Sequence, residues 1–313
     1  MKRFAAALGV CLFVAVPAHA QEFVTVLTGG TSGVYYPLGV ALNGIYSKAI
    51  PNAKVTVQAT KASVENLNLL QGGRGEIAFT LGDSLSDAWK GREEAGFKAK
   101  LDKLRTVAGI YPNYIQIVAA KDSGIKTLAD LKGKRVSVGA PKSGTELNAR
   151  AIFGAAGMSY NDFAKTEYLP FAESVDLMKN RQLDATLISA GLGVAAVKDL
   201  ATSQEITVVS VPADIVQKVG DPAYIAETVP AGTYNGQTDA VPTAAVRNFL
   251  VTHSGVSEAA VYAMTKSMYE NLDGLTAAHS AAKQVKLDAD AAKSPVPLHP
   301  GAEKFYKEKG LLK

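Results

Sequence analysis

The chain has 313 residues, 47% of them hydrophobic, and a formal charge of +4. That length supports two cores, and so small a charge excludes nucleic acid or an anionic membrane surface as the main partner. A single cysteine, Cys11, excludes a disulfide framework.

Residues 1–20 read as a secretory signal peptide. Lys2 and Arg3 form a basic start, residues 4–16 an apolar run, and Ala18-His19-Ala20 a small-x-small cleavage site. The apolar run is too short to be a resident membrane helix. Cleavage after Ala20 leaves 293 of the 313 residues and lowers the charge to +2, with 31 basic against 29 acidic residues. Val10 is bulky for the position before a lipoprotein cysteine, so Cys11 is expected to leave with the signal. The longest later apolar run, 185–197, is interrupted by Gly191 and Gly193, so no stable membrane insertion is expected and the product should be periplasmic.

Apolar residues 23–27 predict a buried strand. The turn Thr28-Gly29-Gly30-Thr31-Ser32-Gly33-Val34-Tyr35-Tyr36-Pro37 follows, with Pro37 at the start of a helix carrying Leu38, Leu42 and Tyr46. Glycines allow close approach of backbone to a ligand. The helix start supplies N–H groups and a partial positive charge suited to a small anion. Next come a strand at 54–59, a helix that Ser63 is placed to cap, and a strand at 77–80. Strand alternating with helix argues for a parallel sheet. Ser84 is placed to cap a short helix.

Residues 104–120 form a long extended stretch, broken at Pro112-Asn113, of the kind that crosses between lobes. A short helix at 127–131 and a strand at 135–138 lead to Gly139-Ala140-Pro141-Lys142-Ser143-Gly144-Thr145 and another helix. This is a second strand, glycine-and-hydroxyl loop, then helix. A strand at 167–170, a helix at 173–180, a strand at 185–189, a glycine turn with its helix and a strand at 206–211 complete this part. Beyond Pro212 the pattern is irregular until a second long strand at 243–252, a helix at 257–272 and a short terminal helix.

The motifs in this order resemble the TAXI group of solute-binding subunits of tripartite ATP-independent periplasmic (TRAP) transporters. They are Gly29 to Gly39 in the first loop and helix, Ser63-Val64-Glu65-Asn66-Leu67, Gly139 to Thr145, Asp184-Ala185-Thr186 and Pro230 to Gln237. The resemblance spans nearly the whole mature chain. It implies an α/β, two-lobed periplasmic-binding fold of the second type, each lobe a mostly parallel sheet flanked by helices. The expected division is lobe I at 21–110 and 246–313, and lobe II at 111–245. It also implies capture of a small carboxylate, a glutamate-like amino acid or a dicarboxylate such as 2-oxoglutarate, and delivery to an integral-membrane TRAP subunit. The family usually has glycine at the position of Lys142; a lysine there, if it touches the solute, calls for a second acidic group.

Open α/β sheets bind ligands beyond the carboxyl ends of their strands. The candidate solute contacts are therefore Gly30, Thr31, Ser32, Tyr35, Tyr36, Ser63, Asn66, Asp83, Lys142, Ser143, Gly144, Thr145, Ser189 and Gly191. Ser63 and Asp83 have an alternative role as helix caps, and one of the two tyrosines is expected in the core. No Gly-x-Ser-x-Gly elbow occurs. His253, His279 and His299 fall at helix ends or surface turns, so neither catalysis nor a metal or cofactor is expected. The rival readings are a binding module feeding a sensor and, less well supported, a secreted hydrolase.

Overall fold

The structure, a computed structural model, describes residues 22–313; the signal peptide and Cys11 lie outside the described residues. The chain opens with β1 (Glu22–Leu27), α1 (Tyr35–Ala49), β2 (Ala53–Gln58), α2 (Ser63–Gln71), β3 (Ile77–Leu81) and α3 (Gly82–Lys90). The long strand β4 (Leu104–Ala120) leads into β5 (Arg135–Ser137), α4 (Gly144–Ala155), β6 (Lys165–Glu167), α5 (Phe171–Lys179), β7 (Ala185–Ala190) and α6 (Ala195–Ser203). Then come β8 (Ile206–Val209), α7 (Ala213–Lys218) and β9 (Tyr224–Val229). The second long strand β10 (Val241–His253) precedes α8 (Glu258–Glu270), α9 (Leu272–Ala278) and α10 (Pro300–Glu308).

All ten strands belong to one sheet of order β2-β1-β3-β10-β4-β7-β5-β6, with β8 on β4 and β9 on β10. The expectation of a mostly parallel sheet in each lobe holds only at the outer strands. There β1 pairs in parallel with β2 and β3, and β5 with β6 and β7. The long strands β4 and β10 run antiparallel to each other and to every other strand they touch. They join a half carrying β1–β3 to a half carrying β5–β9 in one mixed α/β sheet.

The sequence break at Pro112-Asn113 does not interrupt β4. Proline lacks the N–H a central strand needs, and the ladder absorbs the loss through a register shift. Arg247 faces Pro112 and Phe249 faces Gly109, so two residue steps along β10 match three along β4. The strand expected at 167–170 sits instead at Lys165–Glu167, because α5 begins directly after Pro170. Helix α7 and strand β9 lie in the region read as irregular. The middle of β9 is exposed and lacks alternation, so no period marks it as a strand.

The histidines fall as expected at turns and helix starts. His299 and His279 accept N–H bonds at the starts of their helical turns, and His253 accepts from Gly255. No helix among the described residues is long and apolar enough to cross a membrane.

Candidate functional site

Where the two halves of the sheet face each other, a cavity of about 130 Å³ lies between the first and second glycine loops. Three helix starts converge on it: α1 through Val34 and Tyr35, α2 through Ala62 and Ser63, and α4 through Ser143, Gly144 and Thr145. First-turn N–H groups have no intrahelical acceptor, and the aligned peptide dipoles add positive potential at the same point. The helix starts thus give the cavity wall positive potential, and among the described residues no buried cation lines it.

The halves are in contact around it. Glu65 N–H donates to the Lys142 carbonyl at 3.2 Å, and Ala196 N–H to the Ser32 carbonyl at 3.3 Å. A Cβ at Gly144 would lie 2.6 Å from Ser63 Oγ and 2.7 Å from Leu81 Cδ1. Only glycine lets α4 approach α2 and β3 this closely. The close fit leaves the cavity small.

Seven of the expected contacts line the cavity: Gly30, Tyr35, Ser63, Ser143, Gly144, Thr145 and Ser189. Tyr35 stacks on Phe79 with ring centroids 5.0 Å apart, and its hydroxyl donates to Asn248 Oδ1. Burial pushes that hydroxyl above its ordinary pKa, so it stays a neutral donor. Ser143 caps α4 by accepting from Glu146 N–H at 3.1 Å. Ser63 does not cap α2, for which Ala62 is the N-cap residue; its Oγ accepts from Leu81 N–H at 3.1 Å and ties the helix to β3. Ser189 is 4% exposed, and its buried Oγ has no hydrogen-bond partner among the described residues.

The other seven lie elsewhere, each for a physical reason. Thr31 is exposed; Ser32 and Tyr36 are half-buried outside the cavity wall. Asn66 is fully buried but spent within the fold, donating to the carbonyls of Thr28 (2.7 Å) and Phe79 (2.9 Å) and accepting from Thr60. Gly191 permits packing, since a Cβ there would meet Ala281 Cβ at 2.8 Å. Asp83 points away to the far side of the junction, where it accepts from Asn148 Nδ2 and Tyr224 OH, both at 2.7 Å. Lys142 is exposed outside the cavity, with φ of +61°. Left-handed backbone favours glycine, so a lysine at this position carries backbone strain.

Sequence reasoning missed, among other cavity residues, Thr60, Lys61, Asn113, Pro170 and Phe171. Asn113 was the one with a signal, a polar side chain inside an otherwise apolar strand. Its Nδ2 donates to the Ser189 carbonyl at 2.9 Å, and its Oδ1 accepts from Asn248 at 2.8 Å. It therefore joins β4, β7 and β10 beneath the cavity. Ala62, on the cavity wall, has φ +71° and ψ −145°, a conformation nearly confined to glycine.

Two remaining motifs have structural explanations. Asp184 receives a bidentate bond from Arg135, at 2.6 and 3.1 Å, that holds β7 to β5. Within the 230–237 turn, the Tyr234 hydroxyl donates to Gln116 Oε1 and accepts from Gly193 N–H. No group of three His, Cys, Asp or Glu among the described residues could hold a metal ion.

The model of the NMT1-like family matches residues 26–310. Among solved structures, the chain is similar to PhnD1 from Prochlorococcus marinus in complex with methylphosphonate. The identity is 11% over 93% of this chain and 100% of that one, with a TM-score of 0.59. It is also similar to the alkanesulfonate-binding protein SsuA from Xanthomonas axonopodis pv. citri bound to MOPS, at 15% identity over 93% and 94% of the two chains and a TM-score of 0.53. A binding protein component of an ABC phosphonate transporter from Pseudomonas aeruginosa matches at 10% identity over 85% and 80%, also with a TM-score of 0.53. At such identities the likeness is one of fold, and the fold is that of these binding proteins.

Proposed function

The chain belongs to the NMT1-like family, and on that premise we propose that it is a periplasmic solute-binding protein, not an enzyme. It captures a small anion between two lobes and hands it to a membrane transporter. The observation that carries this reading is the convergence of three helix starts on one small cavity at the junction of the sheet's halves. The moving bodies are residues 21–110 with 246–313, and residues 111–245, hinged on β4 and β10. The signal-like residues 1–20 support an exported product.

The structural likenesses include proteins named for small anions, a methylphosphonate complex and an alkanesulfonate-binding protein. For this chain the glycine-loop motifs favour a small carboxylate and a TRAP membrane subunit. Co-purification from native membranes would distinguish that partner from an ABC permease or a membrane sensor.

The experiment is calorimetric titration of ligand-stripped protein with small anions, on the natural chain and on Gly144→Ala. The added methyl holds α4 away from Ser63 and Leu81, so the lobes close poorly and affinity falls by at least about tenfold. Undiminished affinity in Gly144→Ala would remove the closed cavity as the binding site.

A further inference from the structure

The cavity wall itself restricts the kind of anion it accepts, an inference that rests on the solute-binding reading above. Among the described residues, Lys61 is the only charged side chain in the lining, and it is exposed at the rim. No carboxylate lines the cavity, because Asp83 is engaged with Asn148 and Tyr224 on the far side. The rest of the wall divides in two. Glycines and hydroxyls stand at the helix starts, while Val34, Leu81, Pro170, Phe171 and Ala190 supply apolar surface.

One negative charge is satisfied by N–H groups at the helix starts. A second acidic group would lie against apolar side chains, or else reach Lys61 in solvent, where attraction is weak. An ammonium group would find no anionic partner. Separately, Ser189 is a lining residue of the cavity, and its buried Oγ has no hydrogen-bond partner among the described residues. A buried hydroxyl without a partner is costly, and a hydrogen-bonding ligand group would relieve it. The neighbouring Asn113 already has one partner at each end of its amide, the Ser189 carbonyl and Asn248 Nδ2.

We propose that the solute is a short-chain monocarboxylate bearing one oxo or hydroxyl group and no ammonium. Its carboxylate sits at the starts of α1, α2 and α4, its oxygen substituent meets Ser189 Oγ, and its alkyl part packs on Phe171 and Leu81. Ser189 is then the residue that selects the substituted acid over the plain one, and the dicarboxylate or amino-acid ligand implied by the motif resemblance is disfavoured. A cavity of about 130 Å³ agrees with a solute of this size.

The test is titration of ligand-stripped full-length mature protein with 2-oxobutyrate, 2-hydroxybutyrate, butyrate, 2-oxoglutarate and glutamate. One of the substituted monocarboxylates should bind best, with 2-oxoglutarate and glutamate weaker by about a hundredfold or more. Ser189→Ala should weaken the substituted acid about tenfold and leave butyrate within about twofold. The comparison among acids needs only the natural chain, so it holds even if the variant misfolds. Binding of 2-oxoglutarate or glutamate as tight as that of the monocarboxylates would overturn the inference while leaving the solute-binding reading intact. Equal losses for butyrate and the substituted acid in Ser189→Ala would remove Ser189 as the selecting residue. If none of the five acids bound, the carboxylate reading and this inference would fall together.

Discussion

Asp83 makes the junction between the two halves of the sheet sensitive to rising pH. It is 3% exposed at the start of α3. One oxygen accepts from Ser84 N–H at 2.6 Å; the other accepts from Asn148 and Tyr224 across the junction. Burial pushes the carboxyl from its ordinary 3.8 up to about 6; bonds from Tyr224 and Ser84 oppose the rise, while Asp87 and Asp221 add to it. Lys90, Arg92 and Arg150 stand around the same recess but do not reverse the shift. A folded-state value above the unfolded one means that Asp83 favours folding most below about pH 4. That contribution is lost as pH rises through about 6. Two pKa units correspond to about 3 kcal/mol. Asp83→Asn abolishes this titration and retains an oxygen for the Tyr224 hydroxyl. The assay is urea unfolding of both proteins from pH 4 to 7.5. The natural chain's stability relative to the variant should fall by about 3 kcal/mol over that range. Other titrating groups cancel in the difference, and any pH-independent cost of the substitution shifts all points alike. Parallel stability curves would refute the reasoning. Solute affinity of the natural chain should weaken across the same window, because opening the lobes hydrates Asp83 and releases its proton.

Lys142→Gly should leave solute affinity within about twofold, since the side chain lies outside the cavity. It should stabilise the protein by up to about 1 kcal/mol, the left-handed penalty less the added freedom of glycine; a tenfold loss in titration would return the lysine to the solute. Ala62→Gly should stabilise by about 1–2 kcal/mol in urea unfolding, because φ +71° with ψ −145° strains alanine; a destabilised variant would mean that the methyl packing on Gly29 outweighs the strain. Small-angle scattering should show compaction on adding a bound monocarboxylate, and at about one hundred times its dissociation constant that ligand should add roughly 2.7 kcal/mol of stability. Unchanged scattering at saturation would exclude hinge closure.

Local sequence carried much of the fold. The runs that became β1, β3, β4, β7 and β10 are apolar or β-branched, and the two strand–glycine loop–helix units were legible because turn and helix-start chemistry is local. Convergence of those two loops followed from the α/β rule for ligand placement. What the chain alone could not decide was how each polar side chain is spent. Asn66 in α2, Asp83 just after β3 and Ser189 near the end of β7 are all polar residues in apolar surroundings, and nothing local tells how each is used. Packing commits Asn66 to the carbonyls of Thr28 and Phe79, turns Asp83 toward Asn148 and Tyr224, and leaves Ser189 without a partner at the cavity. Hydrogen-bond partners 13 to 141 residues away in sequence are chosen by how the sheet and helices pack, so only the tertiary structure separates the residue that braces the fold from the one left on the cavity wall.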